Sequence, residues 1–242
     1  MTSAQTIVLP GDTIAPNALP TSANPNKPLT LGPGLRHIPP QTITTTIAGA
    51  LSTDSKKNAA WIEYNSGRYT PSTSDLVIAT VTNSVSEAYS CTLTPYTPTV
   101  TLPHLAFESA TRKTRPQLAN HALVYARVVS ASRDTAPEIT CIDPSTGKSE
   151  GLGPLKGGMV FPISMGMARR LLSGRKGGVN VLEGLSERLA FEVAVGRNGM
   201  LWVDGGNVRT TLAVGRAVQE VDTEALGDKG QSKVVDRVLR GL

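Results

Sequence analysis

Three short stretches hold residue types that could act on a ligand. Residues 111–116 read Thr111-Arg112-Lys113-Thr114-Arg115-Pro116, the densest cationic cluster in the middle of the chain. Gly174-Arg175-Lys176-Gly177 sets two cations between glycines, and Gly196-Arg197-Asn198-Gly199 repeats that spacing with one cation and an asparagine. Arginine and lysine meet phosphate oxygens, and glycine lets a nucleic-acid backbone come close. The chemistry on offer is capture of a polyanion. The candidate RNA contacts are Arg112, Lys113, Arg115, Arg175, Lys176 and Arg197, with Tyr89 as the nearby aromatic able to stack on a base. The competing reading makes the cations solvated charges on turns and Tyr89 a core residue. Asn-Gly is a tight-hairpin signal, so Gly196, Asn198 and Gly199 read first as structure, with an Asn198 side chain able to tie the turn to another segment.

Bond-breaking chemistry lacks its parts. His37, His104 and His121 stand apart, with no cysteine or carboxylate at metal-ligand spacing. Cys91 and Cys141 are too few for a disulfide scaffold or a four-ligand zinc site, and strand packing in a reducing compartment suits them. There is no Gly-x-Ser-x-Gly elbow, no phosphate-binding Gly-x-x-x-x-Gly-Lys-Ser/Thr loop and no Asp-x-Asp pair. No catalytic residue, metal, cofactor or small-molecule ligand is expected. No apolar run is long enough to span a membrane, and the first residues lack the basic start and apolar core of a signal peptide.

The elements that would position these cations change along the chain. Gly 23 and Pro 17 in 242 residues argue for many turns and β-structure over a helical bundle. A net charge of +5 is a mild bias toward an anionic partner. Aromatics make up only 4%, which favours tracking a backbone over reading bases. Residues 1–66 hold two turn islands, Pro10-Gly11-Asp12 and Leu31-Gly32-Pro33-Gly34-Leu35, a loop over 16–28 and strands near 42–47 and 61–64. This is little apolar material for a solitary domain and suits a β-rich docking module.

Residues 67–145 carry five strands, near 75–81, 88–93, 97–102, 122–129 and 138–142, with a short helix expected over 103–107. That is the layout of an OB barrel. Residues 146–222 follow as strand, helix, Gly-Arg-Lys-Gly, helix, strand, Gly-Arg-Asn-Gly turn, strand, helix. This is the order of a eukaryotic-type KH domain, with Trp202 read as core. Residues 223–242 form a charged tail, either a peripheral helix or a frayed end. The fold class is α+β and multidomain: a β-rich N-terminal module, an S1-type OB barrel and a KH-type domain.

Several segments carry a family resemblance: Leu9-Pro10-Gly11-Asp12 with Leu31-Gly32-Pro33-Gly34-Leu35, Trp61 to Tyr64 through Asp75-Leu76-Val77-Ile78, Arg112 to Pro116 with Leu123-Val124-Tyr125-Ala126-Arg127, and Gly196-Arg197-Asn198-Gly199 with Leu201-Trp202-Val203. In this order they resemble the cap subunits of the eukaryotic RNA exosome, within them the ribosomal RNA-processing protein 40 (exosome component 3) family. The resemblance marks Gly11, Asp12, Gly32, Gly34, Gly196, Asn198, Gly199 and Trp202 as structural signature positions. It implies a non-catalytic cap on a ring of RNase PH-like subunits beside other cap subunits. Such a cap guides single-stranded RNA 3′ ends to a separate 3′–5′ exoribonuclease in rRNA processing and RNA decay, in the nucleus, nucleolus and cytoplasm. The alternative is a stand-alone S1/KH RNA-binding regulator of translation or transcript stability.

Overall fold

Alternation of β-branched and polar residues sets the first strands. The chain is seen as a computed structural model that describes residues 6–20, 28–65, 68–95, 97–132 and 134–241. It divides into two units, Met1–Ser66 and Gly67–Leu242.

The first unit contains β1 (Ile7–Val8), β2 (Thr30–Leu31), β3 (Leu35–Ile38), β4 (Thr42–Thr45), β5 (Gly49–Asp54) and β6 (Ala59–Glu63). They form a sheet of order β1-β5-β6-β2 and a β3-β4 hairpin. Thr42-Ile43-Thr44-Thr45 buries Ile43 and Thr45 on one face, as a period of two demands. The core is small: Val8, Ile14, Ile43 and Ile62 are buried. The island Pro10-Gly11-Asp12 is a turn held on β4. Gly11 has φ +94°, the Leu9 N–H donates to Asp12 Oδ2 at 2.7 Å, and Gly11 N–H and Asp12 C=O bond the two sides of Thr45. Gly32 and Gly34 lie against Trp61 and Ile62 of β6; a Cβ on Gly34 would sit 2.6 Å from Ile62 Cβ.

The second unit opens with β7 (Leu76–Ser84), β8 (Ala88–Thr92), β9 (Val100–Pro103), β10 (Leu123–Ser130) and β11 (Glu138–Thr140). Hydrogen bonding runs β11-β9-β8-β7-β10, and an added β10–β11 pairing closes the barrel. The β9–β11 pairing is parallel and all the others are antiparallel. This is the five-stranded OB closure. Inward residues alternate cleanly, with Val77, Ala79, Val81, Tyr89, Cys91, Val100, Leu102, Val124, Ala126 and Val128 in one core. A further strand, β12 (Gly153–Leu155), pairs with β10, so the chain stays on the barrel through Leu155.

The helix expected over residues 103–107 is not formed. Its hydrogen-bonding groups are committed elsewhere: His104 N–H goes to Glu87 C=O at 3.0 Å, and Ala106 C=O accepts from Cys141 N–H at 2.9 Å. Successive turns take its place.

The remaining elements are β13 (Met159–Pro162), α1 (Met165–Leu172), α2 (Val181–Ser186), β14 (Glu192–Gly196), β15 (Met200–Asp204), α3 (Val208–Thr223) and α4 (Asp228–Gly241). The antiparallel sheet has order β13-β15-β14. Ser164 caps α1, its Oγ accepting from Met167 N–H, and Asn207 caps α3 through Thr210 N–H. Val214, Ala217, Val218 and Val221 of α3 share a core with Phe161, Leu201 and Val203 of the sheet. The tail is helical from Asp228. Its Gln231 is 1% exposed, accepts from Asn180 N–H at 2.7 Å and donates to Gly178 C=O at 3.0 Å. The charged tail is therefore built into the KH-type layer.

Candidate nucleic-acid interface

The sequence Thr111-Arg112-Lys113-Thr114 closes on itself. Thr111 N–H donates to Thr114 Oγ1 at 3.0 Å, Thr114 N–H donates to Thr111 Oγ1 at 3.2 Å, and the two hydroxyls are 2.8 Å apart. Arg115 N–H then returns to Thr111 C=O at 2.9 Å. This reciprocal bracket spends the local polar groups within the turn and leaves Arg112 and Lys113 exposed at its tip. Arg115 is half-buried and turns inward, its Nη1 on Nδ1 of His104. The neighbouring acid, Glu108, accepts from Ser149 N–H at 2.8 Å. That bond, with Lys148 nearby, holds its carboxyl below the ordinary range.

Tyr89 is not a stacking platform. It faces the barrel interior at 4% exposure, and its hydroxyl donates to Pro116 C=O at 2.8 Å. Strand alternation explains this: Tyr89 and Cys91 of β8 point inward, while Ala88, Ser90 and Thr92 point outward. Phe107 is also buried. The outward face of β8 and β9 thus offers hydroxyls and aliphatic groups and no aromatic ring for a base to stack on.

Arg197 stands apart from the turn. Its N–H donates to Leu76 C=O at 2.7 Å, and its Nε lies 3.7 Å from Asp75 Oδ1. Asp75 also accepts from the Tyr69 hydroxyl at 2.8 Å. Arg197 therefore sits at the start of β7, whereas His104, with Arg115, lies 3.4 Å from Ser84 Oγ at its end. At about 3.3 Å per residue, the strand separates them by roughly 25 Å.

The adjacent Asn198 is 5% exposed. The β7–β8 ladder starts only at Thr80, so the β7 edge is open at Ile78. Asn198 fills that gap as a peptide would: Oδ1 accepts from Ile78 N–H at 3.2 Å, and Nδ2 donates to Ile78 C=O at 2.9 Å and Leu93 C=O at 2.7 Å. Trp202 is 4% exposed and packs with Ile78 and Ala194. Its Nε1 donates to Gly157 C=O at 3.0 Å. The Tyr125 hydroxyl adds a bond to Val195 C=O at 3.2 Å. Gly196, Asn198, Gly199 and Trp202 thus join the barrel to the KH-type sheet.

Gly174–Gly177 is a 3₁₀ turn and not an open loop. A Cβ on Gly177 would lie 1.9 Å from Arg170 C=O, and Arg170 donates to the carbonyls of Gly177 and Gly178 at 3.0 and 3.2 Å. The side chains of Arg175 and Lys176 lie outside the described residues. Among the described residues, no three His, Cys, Asp or Glu side chains group as a metal site. His104 as the partner of Arg115, and Gln231 as a staple, carried no signal in the sequence.

Comparison with known proteins places this arrangement. Three family models match consecutive segments: the Rrp40 N-terminal domain of the description "Exosome complex exonuclease" over 29–68, the S1 domain of exosome complex component RRP40 over 69–153, and a KH domain over 158–209. The exosome complex component RRP40 of Saccharomyces cerevisiae is 35% identical, covering 92% of this chain and 93% of its own. That of Drosophila melanogaster is 35% identical, covering 92% and 91%. The crystal structure of a "putative exosome complex RNA-binding protein" shares the fold with a TM-score of 0.57 at 22% identity, over 71% of this chain and 95% of that one. With full-length relatives at this identity, and S1 and KH units in the same order, the chain belongs to the Rrp40 family of exosome complex components.

Proposed function

We propose that this chain is a non-catalytic, RNA-binding cap subunit of an exosome complex. It steadies a ring of RNase PH-like subunits beside other cap subunits and guides RNA 3′ ends toward a separate nuclease in rRNA processing and decay. Its proposed seat is the nucleus, nucleolus and cytoplasm. The observation that carries the reading is the threonine-bracketed turn of the S1 barrel, which holds Arg112 and Lys113 out to solvent in a member of this family. The exposed apolar residues Ile7, Leu9 and Ile38 of the first unit support its docking on a protein surface.

Salt-dependent binding of oligo(U) RNA tests the reading. Each phosphate contact on a single strand contributes about 0.7 to the slope of log K against log salt. The double variant R112E/K113E should therefore flatten the slope by roughly 1.4 and weaken binding to unrelated sequences alike. Unchanged affinity would refute the role of this turn. RNA shortening by the rigorously purified chain, abolished by changing one of its own carboxylates, would refute the non-catalytic reading. Sequence-selective binding by a chain that never co-elutes with ring subunits would favour the stand-alone regulator.

A further inference from the structure

Behind the basic turn lies a buried polar cluster that the display of Arg112 and Lys113 does not by itself explain. Tyr89 and His104 are each 4% exposed. Their rings pack with centroids 4.3 Å apart and planes inclined by 60°. The Tyr89 hydroxyl donates to Pro116 C=O at 2.8 Å and accepts from Leu118 N–H at 3.3 Å. His104 Nδ1 meets Arg115 Nη1, and Nε2 lies 3.4 Å from Ser84 Oγ. A guanidinium has donors only, so Nδ1 must accept; the imidazole is neutral and its proton is on Nε2, directed at Ser84. The exit of the turn is thus attached to the barrel wall by three consecutive anchors: Arg115 on His104, then Pro116 and Leu118 on Tyr89.

We propose that Tyr89 and His104 are positioning residues for RNA, a buried post that fixes the course of residues 111–118 and so the direction in which Arg112 and Lys113 face. This rests on the reading that the turn binds RNA, and it adds a dependence on the protonation of one buried imidazole. Protonation would set an N–H on Nδ1 against the donors of Arg115. The groups facing His104 are Arg115 from the turn, Glu87 from the β7–β8 connection, Ser84 from β7 and Tyr89 from β8. Burial and the Arg115 charge hold the imidazole below its ordinary value, against the weaker opposite pull of Glu87. Acid therefore loosens the turn and weakens RNA binding. A protein that binds RNA by charge alone does the reverse, since added protons only raise its positive charge.

The test uses the full chain, fluorescein-labelled oligo(U), anisotropy from about pH 7.5 down to about 4.5, since the buried imidazole takes its proton below the ordinary value, and amide hydrogen exchange over residues 111–118. The variants are Y89F, which keeps the ring and removes the hydroxyl, and H104Q, whose amide oxygen can accept from Arg115 but does not titrate. The parent should lose about threefold to tenfold in affinity on acidification, the size of one lost hydrogen bond. H104Q should match the parent at neutral pH and stay flat. Y89F should bind about threefold to tenfold more weakly and exchange Leu118 N–H faster, with its melting transition retained. Superimposable pH profiles for parent and H104Q would overturn the inference, as would Y89F with unchanged exchange and affinity. If R112E/K113E abolishes binding while Y89F and H104Q are silent, the post alone has failed. If R112E/K113E is silent while Y89F speeds exchange, the RNA reading has failed and the inference falls with it.

Discussion

Replacing Asn198 by alanine removes three hydrogen bonds from one buried point. Ile78 loses the partner of its N–H and one partner of its C=O, and Leu93 loses one at its C=O. Both residues are 0% exposed. Each bond contributes about 1 kcal/mol net, and a buried N–H left without a partner costs more than a carbonyl does, so N198A should cost about 3–4 kcal/mol. For a urea slope of about 2 kcal/mol/M, the midpoint of the second unit should fall by about 1.5–2 M. Hydrogen exchange at the Ile78 amide should rise with it, since β8 has not yet joined β7 there. A midpoint within about 0.3 M of the parent, with Ile78 still protected, would refute the clamp. N198D sharpens the test. A carboxylate can accept from Ile78 N–H but opposes two carbonyl oxygens, so its folded-state pKa rises. Its deficit should then be smallest below about pH 4, where folded and unfolded forms are both protonated and the single O–H serves one of the two carbonyls, and should grow as pH rises.

Two other side-chain chemistries give independent checks. Burial pushes the thiols of Cys91 and Cys141 up to about 12. Iodoacetamide should therefore alkylate them at least about a thousandfold more slowly in the native chain than in urea, and equal rates would place the thiols at the surface. Asp143 is hydrogen-bonded by the Ser145 hydroxyl and N–H and lies 3.0 Å from Arg127 Nη2. The Ser145 bonds first, and Arg127 after them, hold its carboxyl below the ordinary range. Its contribution to stability is present above about pH 4 and lost as pH falls through the lowered value. D143N should lower the midpoint at neutral pH and flatten the acid limb of a pH–stability curve; an acid limb identical to the parent's would count against this network.

What could be read from residue order was whatever a single strand or helix enforces by its own period. Asp75-Leu76-Val77-Ile78-Ala79-Thr80-Val81 announces a barrel strand because it is a short apolar run rich in β-branched residues. Asn198-Gly199 announces a hairpin because both residues tolerate its backbone. Gly49-Ala50-Leu51-Ser52-Thr53-Asp54 has no such run and became β5 by pairing with β1 and β6. Residues 103–107 have helical composition, but their N–H and C=O groups are drawn to Glu87 and Cys141, partners no local window contains. The site divides in the same way. Cation density exposed the turn at Arg112, whereas the inward face of Tyr89 depended on the phase of β8, and the role of His104 depended on a fold that returns Arg115 to it.

These commitments bear on which half of the second unit can serve a polyanion. Gly-x-x-Gly in a KH domain serves RNA when its backbone is open to phosphates. Here Gly177 packs on the α1 backbone, and the carbonyls of Gly177 and Gly178 are taken by Arg170 and by Gln231 of α4. The second Gly-x-x-Gly, Gly196 to Gly199, is spent on closing the barrel edge, and its arginine lies beside Asp75. Trp202 is buried under Tyr125 and Leu155, not offered to a base. The KH-type layer is thus invested in holding the barrel, and the barrel in turn has converted its inward aromatic into an anchor for a cationic turn. In the proposed cap, charge reversal at Arg112 and Lys113, which are exposed at the tip of their turn, should cost more RNA binding than charge reversal at Arg197, which lies beside Asp75.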